Sequence, residues 1–370
     1  MGLFTFDKLP FNTLVGADRK TFDRVVKDRD VAPTCRTKYR LTKICQRLLN
    51  PFYKRNTRLF EQMQKPEIHA PVFIIGHWRS GTTFVHNVLS CDPQFGYCTT
   101  YQTVFPHLML FGDRFFRWAA SCCMPSTRPT DSLELSVEQP QEEEFALANM
   151  TPMAHYHFWL YPQEMTHYRK HSLILWSATE EEKEELMEAQ RKMMQIALHC
   201  QKKERFLSKN PPHTGRVKEL LEAFPDAKFI YLVRNPYTVF ESTRNFFSRT
   251  MPPLSLQSIS EEELEQQILE NYRAMYQKYE QDKELIPEGS LIEVRFEDFE
   301  ADPIGMAEQI YQTLGLGDFQ KVRPHLGKYV KKKEGFRKNR YQYDRRTIEL
   351  VEKHWGEALT QWNYQLNVED

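Results

Sequence analysis

The chain of 370 residues is long enough for one large α/β domain with embellishments, or for two domains. Its 50 Lys and Arg balance 50 Asp and Glu, and zero net charge argues against a general nucleic-acid binder. Hydrophobic residues at 41% suffice for a sizeable core, yet no run reaches the roughly 18 apolar residues of a transmembrane helix.

The seven cysteines are odd in number, scattered and free of any Cys-x-x-Cys, so neither a disulfide framework nor a zinc site is expected. They point to a reduced, cytoplasmic protein. Met1 to Pro10 lacks a basic region followed by an apolar run, so no signal peptide is expected. Gly2 is followed by Phe6 where a myristoylation signal needs Ser or Thr.

In chain order, residues 1–69 are basic and aromatic and read as a helical N-terminal extension. Pro71 to Ile75 is an apolar strand running into Gly76-His77-Trp78-Arg79-Ser80-Gly81-Thr82-Thr83 and then a helix. The frame Gly76-x4-Gly81 is that of a phosphate-binding loop. The lysine that grips the ATP phosphates is absent from its place at Thr82, and Arg79 stands three residues earlier. Backbone N–H groups and the helix N-terminus still suit an anion, so a phosphorylated nucleotide is expected there.

Tyr101 to Met124 is dense in aromatic and apolar residues, as in an ordinary core helix or in the wall or lid of an apolar acceptor pocket. Phe158, Trp159 and Tyr161 add aromatic surface that equally suits a sugar. Thr179-x-x-Glu182 and Ser260-x-x-Glu263 are capping boxes before helices with Met and Tyr stripes, which read as core. Phe206 to Ser208 is a short strand candidate, and Thr214 is expected to cap a helix carrying Val217, Leu220, Leu221 and Phe224 on one face. Ala227 to Val233 and Leu291 to Arg295 are further strands, and Asp302-Pro303 opens a helix that Gly315 closes. Alternating strands and helices imply an α/β fold: a P-loop-type parallel β-sheet flanked by helices, with its ligand at the carboxyl ends of the strands. The expected organisation is a single domain with an extension at 1–69, a nucleotide-binding core at 70–320, and a basic segment with a C-terminal helix at 321–370.

The strand ending at Val233 delivers Arg234-Asn235-Pro236, with Ser242 eight residues after the arginine. A P-loop ATPase typically ends such a strand in an aspartate that organises Mg²⁺. Arginine at the strand end with a serine two helical turns on suits a second phosphate held without metal; the plainer reading is a strand-end salt bridge.

Two anion sites with no evident metal ligands resemble the sulfotransferases that use 3′-phosphoadenosine 5′-phosphosulfate (PAPS). Arg79-Ser80-Gly81-Thr82-Thr83 is similar to the family's 5′-phosphosulfate loop, in the arginine version of tyrosylprotein and many bacterial members. Arg234-x7-Ser242 is similar to its 3′-phosphate motif. Leu207 to Pro211, and Arg295 to Phe299 followed by Asp302-Pro303, also resemble the bacterial-type branch, so the likeness runs from about residue 70 to 320.

The resemblance implies in-line transfer of a sulfuryl group to an acceptor hydroxyl or amine, with PAPS as co-substrate and no metal. It implies that Arg79 stabilises charge on the bridging oxygen, and that Ser80, Gly81, Thr82 and Thr83 hold the 5′-phosphate. Phe84 matches a position that often stacks on adenine, and Lys209 would contact the sulfuryl oxygens or the acceptor. The acceptor needs a general base. The tyrosylprotein branch has a Glu about twenty residues after its arginine, where this chain reads Cys98-Thr99-Thr100-Tyr101. Gln139 to Phe145 is similar to an acidic segment of the bacterial branch and offers Glu142, Glu143 and Glu144, the last two leading. On a helix Glu142 and Glu144 point about 160° apart, and such a run is equally a solvated face. His107, His155 and His157 are rival bases or structural histidines.

Lys328 to Arg346 holds the clear basic patch of the chain. Arg337 and Arg340 in it are candidates for the 3′-phosphate, with a solvated or anionic-membrane-facing patch as the alternative. The expected acceptor is a sterol or other lipid-like alcohol, with a carbohydrate as runner-up; no nucleic-acid partner is expected, and a peripheral membrane contact is left open. Two other classes compete: a P-loop phosphotransferase, against which the missing lysine and the strand-end arginine count, and a non-catalytic nucleotide-binding or membrane-peripheral protein.

Overall fold

The computed structural model describes residues 11–123, 136–333 and 342–365. Helices α1 (Arg19–Val26) and α2 (Arg36–Gln62) come first, followed by β1 (Val72–Gly76), α3 (Thr82–Leu89) and β2 (Phe95–Gly96). Then come α4 (Thr100–Val104), α5 (Asp113–Cys123), α6 (Glu144–Met150), α7 (Met165–Tyr168) and α8 (Glu180–Gln201). The later part runs β3 (Arg205–Lys209), α9 (Val217–Ala223), β4 (Lys228–Val233), α10 (Pro236–Leu254), α11 (Glu261–Asp282) and β5 (Leu291–Arg295). Helices α12 (Phe296–Ala301), α13 (Pro303–Leu314), α14 (Phe319–Lys333) and α15 (Arg345–Gln361) finish it.

These elements fall into two compact units that interleave along the sequence. The first takes the described residues up to Ile68, then Gly96–Phe206 and Ser248–Ser260. The second takes His69–Phe95, Leu207–Phe247 and the described residues from Glu261 onward.

The first unit is built mainly of helices. Thr179 caps α8 with a complete capping box, and Leu186, Met193, Met194, Ala197 and Leu198 are buried on it as their spacing requires. A smaller cluster joins Tyr53 of α2 to Tyr101 and Leu108.

The second unit carries the sheet, ordered β2-β3-β1-β4-β5. β1 pairs in parallel with β3 on one side and β4 on the other, and β5 extends the sheet beyond β4. β1 is buried at every position and β4 at all but its first, which explains their unbroken apolar runs: a parallel sheet is covered on both faces. Val72, Ile74, Leu207, Ile230, Leu232 and Val294 pack against Val85, Val88 and Leu89 of α3 and Phe299, Ile310 and Leu314 of α12 and α13. Asp302 caps α13 by accepting the Gly305 N–H at 2.9 Å, and Gly315 closes it at φ 64°. Thr214 corrects the sequence reading. It caps no helix: α9 starts after Arg216 without a side-chain cap, and the Thr214 hydroxyl accepts the Gly76 N–H at 2.8 Å instead. The bond anchors the end of β1, the strand that feeds the phosphate loop.

Candidate active site

The register aligns Gly76 with Leu232 and Val233 with Arg295, so the carboxyl ends of β1, β4 and β5 lie side by side. Parallel α/β sheets bind ligands at this edge, where the strand order reverses around β1. The phosphate loop leaves β1 here. Gly76 at φ 137° brings its Cα so close to β4 that an added Cβ would stand 2.4 Å from the Leu232 carbonyl oxygen. Gly81 at φ 95° sits directly on the Phe296 ring, where a Cβ would come within 2.1 Å. Both positions need glycine for backbone angle and for space.

Arg79 adopts φ 68°, a left-handed conformation that costs a non-glycine residue about 1 kcal/mol or more. The surroundings hold it there. Its Nε donates to the Ser242 hydroxyl at 2.9 Å, its guanidinium lies 5.3 Å from the Phe246 ring, and its carbonyl accepts from Arg234 at 3.1 Å. The Arg234 guanidinium in turn stacks 4.6 Å from the Phe296 ring, the same ring that supports Gly81. The structure therefore brings Arg79, Ser80, Gly81, Arg234 and Ser242 into one connected group. Ser80 is buried and donates to the His77 carbonyl at 2.8 Å, closing the turn. The N–H groups of Gly81, Thr82 and Thr83 precede the first helical bond of α3, made by the Phe84 N–H to the Gly81 carbonyl at 2.9 Å. Those groups and the two guanidinium ions suit a doubly anionic ligand.

His77 lies buried within the loop against Trp78, Tyr272 and Trp355, with Nδ1 bonded to the Trp78 carbonyl at 2.8 Å. Burial pulls its pKa down to about 4, so it adds no charge to the site at neutral pH. Lys209 ends β3 fully buried. Its charge, after burial itself, holds His86 of α3 well below the usual histidine range. Phe84 packs edge-on against Phe299 at 5.7 Å and leans on the core, half-buried.

In the first unit, α6 begins at Glu144, and Glu143 occupies the turn before it. Both carboxylates are buried, so the solvated-face reading does not apply to them. Glu144 accepts the His155 main-chain N–H, and Glu142, half-buried, accepts from the Tyr156 hydroxyl. The three histidines each point a ring nitrogen at a main-chain carbonyl: His107 at Asn149 (2.9 Å), His155 at Tyr168 (3.3 Å) and His157 at Thr151 (3.0 Å). Burial lowers His107 and takes His157 to about 4, which suits structural roles. Phe158, Trp159 and Tyr161 correct the expectation of aromatic surface. All three are buried, with Phe158 and Trp159 packed at 4.6 Å, because the intervening turns fold them inward.

Of the basic patch, Arg345 pairs with Glu349 at 2.9 Å, and Arg346 forms a two-pronged pair with Glu265. Arg337 and Arg340 lie outside the described residues.

The model described as the sulfotransferase family matches residues 71–320, the stretch that contains β1 to β5 and both anion motifs. The chain belongs to the sulfotransferase family. Over 294 residues it is 32% identical to the omega-hydroxy-beta-dihydromenaquinone-9 sulfotransferase Stf3 of Mycobacterium bovis, covering 80% of this chain and 75% of the relative. Its fold resembles the crystal structure of sulfotransferase STF9 from Mycobacterium avium, with TM-score 0.70 at 17% identity, over 94% of this chain and 90% of that one. The structure of STF1 from Mycobacterium tuberculosis H37Rv follows with TM-score 0.63 at 15% identity, over 91% and 90%.

In this sulfotransferase, sequence reasoning missed the residues that brace the loop. Phe296 supports Gly81 and Arg234, Thr214 anchors Gly76, Phe246 flanks Arg79, and Glu297 accepts the Asn235 N–H at 3.0 Å. None has a spacing signal of its own. Phe296 and Glu297 lay within the Arg295–Phe299 segment that resembles the bacterial-type branch, but nothing in it pointed to the loop.

Proposed function

We propose that this sulfotransferase moves the sulfuryl group of PAPS to the hydroxyl of a lipid-like alcohol. The observation that carries the PAPS assignment is the Arg79–Ser242–Arg234 group, which joins the phosphate loop to a second anion motif at the adjacent strand end. A nucleotide with phosphate on both 5′ and 3′ positions matches two such cationic points, whereas ATP chemistry calls for a lysine and an Mg²⁺-organising acid that this loop and strand lack. The close-packed glycine turn supports tight approach of a 5′-phosphate to the backbone.

In this reading the acceptor oxygen forms a bond to sulfur while the bond from sulfur to the 5′-phosphate oxygen breaks, and the electron pair leaves on that phosphate. Arg79 faces the departing charge, and Ser80, Gly81, Thr82 and Thr83 hold the phosphate. Lys209 neutralises the sulfuryl oxygens, and Arg234 with Ser242 takes the 3′-phosphate. Phe84 flanks the adenine, with Arg337 and Arg340 as further 3′-phosphate ligands. The acceptor proton goes to a carboxylate. Of the buried pair at the start of α6, Glu143 is the base we test first and Glu144, which accepts the His155 N–H, is the other. The lipid-like acceptor is supported by the 32% identical relative, whose name states an ω-hydroxylated dihydromenaquinone. The scattered cysteines favour a reducing, cytoplasmic setting.

Calorimetric titration with adenosine 3′,5′-bisphosphate, ADP and ATP in EDTA tests the nucleotide assignment. Selective binding of the bisphosphate supports it, and preference for ATP removes it. Transfer of radiolabelled sulfuryl to hydroxylated quinones and sterols, compared with sugars, then tests the acceptor class; turnover on sugars alone overturns the lipid reading.

A further inference from the structure

Eight large hydrophobic side chains stand exposed among the described residues, and six of them lie on just two helices of the first unit. Leu41, Ile44, Leu48 and Phe52 are spaced three, four and four residues apart on α2, which places them on one face of the helix. Phe115 and Trp118 are exposed on α5, at 62% and 63%. The two sets are continuous. Phe52 packs on Phe116 at 5.4 Å, Phe116 on Phe115 at 5.3 Å, and Phe115 on Trp118 at 6.1 Å. A different face of α2 packs within its unit: Thr42, Gln46, Tyr53 and Asn56 are buried there. Among the described residues the stripe therefore stands largely uncovered, and an apolar patch of this kind marks an interaction surface.

The charge on α2 says what it fits. The helix carries eight Lys and Arg against a single Glu. Arg40, Arg47, Lys54 and Arg58 are exposed and follow the edge of the stripe at helical spacing. Among the described residues no ion pair takes any of these four, although ion pairs are plentiful elsewhere on the chain. An apolar face of Leu, Ile, Phe and Trp bordered by unneutralised cations is the composition of a helix that lies in the plane of a bilayer surface. Its aromatic side chains suit the headgroup level, and its cations suit anionic lipid.

We propose that the α2 and α5 face is a docking surface for an anionic lipid bilayer, which the protein binds peripherally without crossing it. The surface goes beyond the reaction assigned above and stands whatever the acceptor is. It differs from the C-terminal basic segment, where Arg345 and Arg346 are already paired with acids.

The test is flotation of the full-length protein with vesicles of phosphatidylcholine alone, or mixed in equal parts with phosphatidylglycerol. Binding to the mixed vesicles, weakened by salt and absent on phosphatidylcholine, is the expected result. Ile44→Ser with Leu48→Ser lowers that binding about tenfold or more. Arg47→Glu with Lys54→Glu lowers it about thirtyfold or more. Because all four side chains are outside the core, thermal melting of both variants stays at the wild-type temperature, which separates lost docking from lost folding. Failure of the wild-type protein to float with anionic vesicles overturns the proposal, as does flotation that neither double variant weakens. A dimer in sedimentation that Leu48→Ser dissociates also overturns it, because a second copy then covers the face.

Discussion

Arg79 donates from Nε to the hydroxyl of Ser242 at 2.9 Å, across 163 residues of sequence. Arg234 closes the loop by donating to the Arg79 carbonyl at 3.1 Å. Arg79, to which we assign the departing charge, is thus held by both Arg234 and Ser242, in a backbone conformation that costs energy to maintain. The two anion motifs act as one unit, so their substitutions are coupled.

Arg79→Ala is expected to abolish transfer while leaving bisphosphate affinity within about tenfold, since the guanidinium acts mainly on developing charge. Arg234→Ala should weaken the 3′-phosphorylated nucleotide more than its analogue lacking that phosphate, and should also lower kcat because the Arg79 carbonyl loses its donor. In a double-mutant cycle on bisphosphate Kd the pair should couple by about 1 kcal/mol. Strict additivity would detach the motifs from one another.

Gly81→Ala introduces a Cβ within 2.1 Å of the Phe296 ring at a φ of 95°. The loop must shift or the ring must leave Arg234, so nucleotide affinity should fall about a hundredfold or more, on the order of 3 kcal/mol. Bisphosphate titration checks this, and wild-type affinity would mean that the turn has freedom the packing denies.

Phe296→Leu keeps an apolar side chain under the loop but removes the ring beneath the Arg234 guanidinium. The lost cation–π contact is worth about 0.5–1 kcal/mol, so the bisphosphate Kd should rise roughly two- to fivefold. ADP, which has no 3′-phosphate, should be affected less. Equal losses for both nucleotides would limit Phe296 to supporting Gly81.

Glu143→Gln should lower kcat about a hundredfold or more with nucleotide affinity and melting temperature retained, and should flatten the acidic limb of the pH–rate profile. Glu144→Gln preserves an acceptor for the His155 N–H and should cost far less. The reverse ranking would transfer the base assignment to Glu144.

His77 and His157 are each pulled from 6.5 to about 4, in both cases chiefly by burial, with a main-chain carbonyl bond acting weakly the other way. Between those values the unfolded chain binds protons that the folded chain refuses, so stability is fully present above pH 6.5 and falls as pH drops towards 4. The loss is on the order of 3 kcal/mol per histidine at most. Melting temperature followed from pH 7 to pH 4 should show it, with a shallower decline in His77→Gln. A decline of equal slope in that variant would relieve His77 of the role.

Sequence alone determined the α/β class, the apolar strand that feeds the loop, and the glycine frame of the loop, whereas the contacts of Arg79 with Ser242 and Arg234 came from the fold. The first three are local patterns: a buried parallel strand reads as an apolar run, and a phosphate turn demands glycine at set intervals. Helix starts at Thr179 and Asp302 were legible for the same reason, because capping is a matter of three or four consecutive residues. Tertiary structure decided the rest. Thr214 looked like a cap but accepts the Gly76 N–H 138 positions away, and Phe296 acquires its place under Gly81 only when β5 aligns with β4. Phe158, Trp159 and Tyr161 read as surface and are core, while Ile44 and Leu48 fall within a helical pattern and are exposed. Burial depends on which faces other segments cover, and that is set by packing between residues far apart in sequence, beyond the reach of any local period.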